Sequence, residues 1–290
     1  MYIGKEQIIG QSGNLVATSK NGQPGVLLPE LISTMRNRIS TALQQLEATH
    51  GIRILYACES GSRAWGFPSP DSDFDVRFIY CHPSAWYLTL DEGPDTLNFP
   101  VDDELDLAGW ELRKALRLLR GSNASVFEWL QSPVVYHEAL DFRARLAPFL
   151  PAAFNLKAGL HHYLGQLRRG VEEDLAGNEV RLKRLFYALR SALAARWIRE
   201  RHAVPPMEFA PLRELLPAAL ETEVATMLAA KASSNEKTTV LRPVALSEFL
   251  REELTAGQAA RDVLPVLRGT GAAGELDLLF RALLAEAFVA

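Results

Sequence analysis

Two stretches of this 290-residue sequence place carboxylates at alternate positions, "PDSDFDVRFIYC" from Pro70 with Asp71, Asp73 and Asp75, and "VDDELDLAG" from Val101 with Asp102, Glu104 and Asp106. Side chains on a strand alternate faces with a period of two. Asp73, Asp75 and Arg77 therefore share one face of the first strand, and Phe74, Val76, Phe78 and Tyr80 share the other. Two ionised carboxylates aimed at one small volume repel, and burying them uncompensated is costly, so a cation is the simplest resolution. An all-oxygen donor set suits Mg²⁺ or Mn²⁺. A third carboxylate joins the first two if the second stretch neighbours the first. Asp106 is the first candidate, with Glu104 on the same face as the alternative. Asp71, directly after Pro70, reads as a solvated turn. A calcium loop fails on spacing, because counting from Asp71 puts Val76 at the sixth position, where glycine belongs, and His82 at the twelfth, where glutamate belongs. An aspartyl nucleophile is equally poorly supported, since "DFDVR" lacks the threonine that usually follows such a pair.

Upstream, Gly61 and Ser62 follow the apolar run "IRILYAC", and "RAWGF" after them begins a short helix. A glycine lets the backbone approach closely, and free N–H groups at a helix start bind phosphate oxygens. A glycine-serine bend beside a strand end, with Asp73 eleven residues beyond Ser62, makes a phosphate cradle facing a cation site. The bend alone is unspecific, being neither the GxxxxGK[ST] loop nor the GxGxxG turn.

These side chains need a scaffold. "PELISTMRNRISTALQQLEATHG" has apolar residues at Leu31, Ile32, Met35, Ile39, Leu43 and Leu46, a helical period that closes at Gly51. "IRILYAC", "FDVRFIYC" and "VDDELDLAG" read as strands, and the residues up to Gly25 read as turns with a possible hairpin at "KNGQPG". From "WELRKALRLLRGSNASVFEWLQS" onward the pattern is helical. The texture changes near residues 132–152, which predicts an α/β (α+β) domain with a mixed sheet over residues 1–140 and an all-helical domain over 141–290. Its longest periodic helix is "EVRLKRLFYALRSALAARWIRER".

Composition agrees with a folded protein, at 48% hydrophobic and 23% charged residues without internal repeats. Neither an export signal nor an 18-residue apolar run is found, which predicts a cytoplasmic protein without membrane partners. Cys58 and Cys81 are too few for a disulfide framework and read as buried thiols. The net charge is −4, yet residues 181–201 hold seven Lys and Arg against the single Glu200, a local +6 that asks for an anionic partner.

Gly61, Ser62, Asp73, Asp75 and Asp106 together resemble the signature of the DNA polymerase β superfamily of nucleotidyltransferases. More narrowly, "GSRAWGFPSPDSDFDVR", "DLAGWELRKALRLLRGSNASVFEWL" and "KRLFYALRSALAARWI" resemble the RlaP-type members associated with RNA ligases and RNA repair. The match covers about residues 50–202, and Ala124 stands where family members often carry proline. The resemblance implies that Gly61 and Ser62 hold the β- and γ-phosphates of a nucleoside triphosphate such as ATP. Asp73 and Asp75 would bind two Mg²⁺ (or Mn²⁺) ions, and Asp106 only the ion that activates the acceptor hydroxyl. It also gives the basic helix a reading. Lys183, Tyr187 and Arg190 lie at i, i+4 and i+7 on one face, where the cations would neutralise the triphosphate and the tyrosine would contact base or sugar. Arg63 would aid phosphate binding, and Arg77 would pair with Asp73 or Asp75. Glu128 is a lesser site candidate, and adjacent His161 and His162 cannot both face one metal from a helix. The expected reaction is nucleotide transfer to an acceptor hydroxyl, an RNA end first, beside an RNA ligase, with pyrophosphate released. A protein or small-molecule acceptor and a catalytically silent nucleotide sensor are the alternatives.

Overall fold

Alternation along β2 (Phe74–Cys81) sets the architecture of the computed structural model, which describes residues 28–100, 104–265 and 272–289. Phe74, Val76, Phe78 and Tyr80 are buried on one face, and Ile79 and Cys81 are buried on the other. The first face packs beneath α1 (Leu28–His50), whose Met35, Ile39 and Leu43 meet Ile54, Ala57, Leu105 and Leu107 in one apolar layer. A helix carrying apolar residues at this spacing buries one stripe, as its period requires. It ends at Gly51, whose φ of +60° is left-handed.

Five strands form the sheet, in the order β3-β4-β2-β1-β5. They are β1 (Arg53–Glu59), β2, β3 (Thr96–Pro100), β4 (Leu105–Glu111) and β5 (Val135–Glu138). All neighbours are antiparallel except β2 and β4, which run parallel with Phe74 opposite Leu105 and Asp75 opposite Asp106. A parallel pair needs a crossover connection. Here the chain between the two strands passes through a 3-10 turn (Ser84–Leu88) and edge strand β3. The consequence is functional, since parallel neighbours bring their first residues to the same edge of the sheet.

The second face adjoins the larger apolar cluster, which is built mostly by helices. These are α2 (Gly61–Trp65), α3 (Leu112–Arg120), α4 (Ala124–Leu130) and the single turns α5 (Phe142–Leu146) and α6 (Leu150–Ala153). They continue with α7 (Leu156–Arg169), α8 (Leu182–Arg201), single-turn α9 (Phe209–Arg213), α10 (Ala218–Ala232), α11 (Val244–Ala260) and α12 (Ala272–Ala287). Cys58, Ile79 and Cys81 of the sheet join one apolar cluster with Leu185, Phe186 and Leu189 of α8 and Leu283 of α12. Both cysteines are buried and free. Asn123 caps α4, its Oδ1 accepting from Ser125 N at 3.0 Å. No described helix is long and apolar enough to cross a membrane.

The rear half is helical as its periodicity predicts, save for a two-stranded ribbon of β6 (Glu179–Arg181) and β7 (Thr239–Leu241). Three-residue strands are too short to show alternation, so only their mutual pairing defines them. Strands β3 and β5 also escaped the sequence reading, being short and lacking a clean alternating pattern. The possible hairpin near residues 20–25 and the Val101–Asp103 part of "VDDELDLAG" lie outside the described residues.

Gly109 shows how closely β2 and β4 fit. It sits opposite Phe78, and a Cβ there would lie 2.2 Å from a Phe78 ring carbon. Gly109→Ala is expected to lower stability by roughly 1–3 kcal/mol through overpacking, read as a shift in the urea unfolding midpoint with an unchanged slope.

Candidate active site

β1 runs to Glu59, and Ser60 N donates to Asp75 O at 2.8 Å, tying the end of β1 to the start of β2. Gly61 then takes φ +62°, a conformation that favours glycine. Space makes the same demand, because a Cβ at Gly61 would lie 2.3 Å from Asp75 Oδ2. The Asp75 carboxylate thus rests directly on the Gly61 backbone, and the bend and the strand read from sequence as separate halves are one site.

Arg77 resolves the repulsion that the carboxylates create. Its Nη2 lies 3.2 Å from Asp75 Oδ1 and 2.8 Å from Asp106 Oδ2, bridging the two registered strands. Burial pushes the Asp75 carboxyl above the ordinary aspartate value; Arg77 and Lys183 oppose this, while Asp106 and Glu236 add to it. Asp106 is the residue in register with Asp75, while Glu104 is exposed and its carbonyl accepts from Phe74 N at 2.8 Å. Asp73 is exposed, one residue before β2, and its carbonyl accepts from Arg63 Nε at 3.1 Å. No three His, Cys, Asp or Glu side chains among the described residues are already gathered as a metal-ready group. The acidic edge does fit a divalent cation in donor chemistry: it offers carboxylate oxygens only, and it already holds a positive charge between two of them.

Glu59 supports this edge from the α1 side. Its Oε1 accepts from Asp75 N at 2.8 Å and its Oε2 from the Tyr136 hydroxyl. Burial pushes its carboxyl up to about 7, against the hydrogen bonds from Tyr136 and the Asp75 amide.

Ser62 is buried, with its Oγ 3.2 Å from Ser72 Oγ. Arg63 braces the loop rather than facing the cleft: its Nη2 donates to Ser72 O at 2.6 Å, and its guanidinium lies 3.8 Å from the Phe74 ring centroid. From α8, Lys183 reaches the same place, with Nζ 2.6 Å from Glu236 Oε2 and 5.7 Å from the Tyr187 ring centroid. The Tyr187 hydroxyl is held above its ordinary value by burial first and by the Asp75 charge next.

The structure does not bring Arg190 to the cleft. Its side chain is buried, with Nη1 and Nη2 each 3.0 Å from Glu128 Oε1 and Nε 3.0 Å from Met207 O. Tyr163 donates to the same Glu128 oxygen at 2.7 Å, so Glu128 is likewise a buried partner. The guanidinium lies 4.4 Å from the Trp65 ring centroid, and Trp65 also meets Tyr187 edge-on at 5.0 Å. Arg190 therefore supports α2, and through it Gly61 and Ser62, from below. A 20-residue helix with cations on several sides gives no local sign of which one is buried; the partner Glu128 lies 62 residues away. His161 is exposed and His162 meets Gln166 at 2.9 Å.

Sequence reasoning missed Ser69, Ser72, Lys231 and Glu236. Ser72 lies inside the motif but is a common turn residue, and Glu236 meets it from 164 positions away.

The profile of the RlaP family, described as the RNA repair pathway DNA polymerase beta family, matches residues 35–282. YcgL of Bacillus subtilis (strain 168) is 42% identical over 222 residues, covering 76% of this chain and 85% of that protein. A solved nucleotidyltransferase-like protein from Exiguobacterium sibiricum 255-15 aligns over 86% of this chain and 80% of its own, at 12% identity and a TM-score of 0.29. That likeness is too distant to bear on the site.

Removing one partner of the buried Arg190 and Glu128 pair strands the other charge. Arg190→Ala is expected to cost about 3–5 kcal/mol of stability, measured by chemical denaturation; a loss below about 1 kcal/mol would contradict the buried-pair assignment.

Proposed function

The chain belongs to the RNA repair pathway DNA polymerase beta family, and from that premise we propose that it transfers a nucleotide from a nucleoside triphosphate to an acceptor hydroxyl, foremost at an RNA end, releasing pyrophosphate. The observation that carries this reading is the Asp75 carboxylate resting on the Gly61 backbone while paired across β2 and β4 with Asp106. Few folding needs explain two half-exposed acids held beside a glycine bend, whereas phosphoryl transfer uses both.

Gly61 and Ser62 receive the polyphosphate, helped by Lys183. Trp65 and Tyr187 offer aromatic surface beside it for the base or sugar. Asp73, Asp75 and Asp106 would hold two Mg²⁺ or Mn²⁺ ions, and Arg77 carries compensating charge between Asp75 and Asp106. When bound, such ions lower the pKa of the attacking hydroxyl and neutralise charge on the phosphates. In the transfer the acceptor oxygen loses its proton and bonds to the α-phosphorus as the bond to pyrophosphate breaks. The protein's part is positioning and charge complementarity. The expected setting is the cytoplasm, beside an RNA ligase that seals the repaired end. A silent nucleotide sensor is the second reading, favoured by one observation: an arginine already neutralises the carboxylates.

The test is incubation with each α-labelled nucleoside triphosphate, Mg²⁺ or Mn²⁺, and a panel of RNA, protein and small-molecule acceptors. Label is expected on RNA, and Asp75→Ala is expected to lower transfer roughly 100-fold or more, about 3 kcal/mol of barrier. Label that moves to no acceptor while the nucleotide binds selects the sensor. In a second measurement, Arg77→Met removes the internal cation. Its thermal midpoint is expected to fall without divalent ions and to recover with Mn²⁺ by more than the parent protein's midpoint rises. The same response in both proteins would count against the acidic edge as the cation site.

A further inference from the structure

Glu236, at the tip of the turn between α10 and β7, puts a carboxylate among the donors that a phosphate would use. Its Oε2 accepts from Lys183 Nζ at 2.6 Å, its Oε1 accepts from Ser72 Oγ at 2.9 Å, and its backbone N donates to Asp71 Oδ1 at 3.0 Å. Ser72 Oγ is in turn 3.2 Å from Ser62 Oγ and accepts from Ser69 N at 2.9 Å. The carboxylate is therefore one hydroxyl removed from the glycine-serine bend. Burial opposes its charge, yet the hydrogen bonds from Lys183 and Ser72 outweigh burial and hold its carboxyl below the ordinary glutamate value.

Lys231 is the second observation. It stands in the last turn of α10 and is 1% exposed, and its ammonium makes a single hydrogen bond among the described residues, to Ser69 Oγ at 2.8 Å, and lies 5.9 Å from the Phe67 ring centroid. An ammonium carries three donors and is costly to bury with one hydrogen-bond acceptor. Ser69, which holds the ammonium, donates its backbone N to the same Ser72 Oγ that meets Glu236, so this buried cation joins the same hydrogen-bonded cluster. Folding alone gives no reason for two lysines and the linked serines Ser62, Ser69 and Ser72 to gather here beside one carboxylate.

We propose that the Glu236 carboxylate occupies the place of a substrate phosphate, and that the pocket it marks, formed by Ser72, Lys183 and Lys231 behind Ser69, seats the terminal phosphates of the nucleoside triphosphate. Carboxylate and phosphate oxygens accept from the same ammonium and hydroxyl donors. The incoming polyphosphate displaces Glu236, and Lys183 and Ser72 exchange one anion for another. The turn that carries Glu236 is closed by Asn235, whose Oδ1 accepts from Lys237 N at 3.0 Å and whose carbonyl accepts from Thr238 N at 3.1 Å. Glu236 can leave without unwinding α10 or breaking β7. Lys231 is thereby a further binding residue. The inference rests on the nucleotidyl-transfer reading and adds to it a subsite and an internal competitor.

The experiment is calorimetric titration of the full chain and its variants with ATP, inorganic tripolyphosphate and adenosine, with urea unfolding as a check on folding. Glu236→Gln keeps the shape and removes the competing charge. It is expected to bind ATP and tripolyphosphate about tenfold more tightly, about 1.4 kcal/mol, and adenosine unchanged. Lys231→Met is expected to bind both polyphosphates about tenfold more weakly, with Lys231→Arg restoring part of the loss. Should Lys231→Met fail to fold, Ser69→Ala, which removes the hydroxyl that holds the ammonium, is expected to weaken polyphosphate binding in the same direction. If Glu236 is only a clip between the turn and the Ser72 loop, Glu236→Gln will lower stability and leave polyphosphate affinity unchanged or weaker, which overturns the inference and leaves nucleotidyl transfer standing. If parent and variants bind no ATP and no tripolyphosphate, the nucleotidyl-transfer reading falls, and the inference with it.

Discussion

Two carboxylates cannot share the edge of a sheet without a positive charge between them. Asp75 and Asp106 are forced into that position by the parallel register of β2 and β4, which brings the first residues of both strands to one edge. Arg77 follows Asp75 by two residues, so the strand period returns its side chain to the same face, and its guanidinium closes the pair. Charge balance, more than shape, therefore defines the site: whatever cation serves here holds the strands' mouths together. A surface ion pair contributes little stability by itself. Its importance lies in holding Asp106 beside the Asp75 carboxylate, which rests on the Gly61 backbone.

The helical half performs two tasks for that edge. The start of α8 supplies Lys183 and Tyr187, and the loop after α10 supplies Glu236, all on the open side. The middle of α8 supplies Arg190 from below, locked to Glu128 and Met207 and stacked beneath Trp65. One helix thus faces the cleft with one turn and holds up the glycine-serine helix with a later one. Division of labour along a single helix follows from its length rather than its period, since Lys183, Tyr187 and Arg190 share a face but Arg190 stands about 10 Å further along the axis, where Glu128 and Met207 enclose it. Arg77 between the acids and Glu236 against Lys183 have a common character: in each case one side chain of the protein satisfies the charge of another at the same edge.

Much of the site was legible because its parts are local. The alternation of "DFDVRFIYC" assigns faces without any tertiary information, and the observed burial of Phe74, Val76, Phe78 and Tyr80 follows it. The glycine at position 61 and the apolar stripe of α1 were equally readable, each being a demand of backbone geometry or helical period. The roles expected for Arg63 and Arg190 were not readable in the same way. Both were assigned from charge and spacing, yet the structure turns one onto the carbonyls of Ser72 and Asp73 and buries the other on Glu128.

By itself, then, the sequence determined which residues share a strand face, where the backbone must bend, that an acidic edge would meet the glycine-serine bend, and that helices would follow. Tertiary structure alone decided that β2 and β4 lie side by side and parallel, that Asp106 rather than Glu104 stands opposite Asp75, and that Ser69, Ser72, Lys231 and Glu236 form one hydrogen-bonded cluster. The reason is range. Periodicity and turn chemistry act over a few residues, whereas a partner for a long, flexible charged side chain is selected by whichever element the fold brings within about 3 Å, and that element can lie anywhere in the chain.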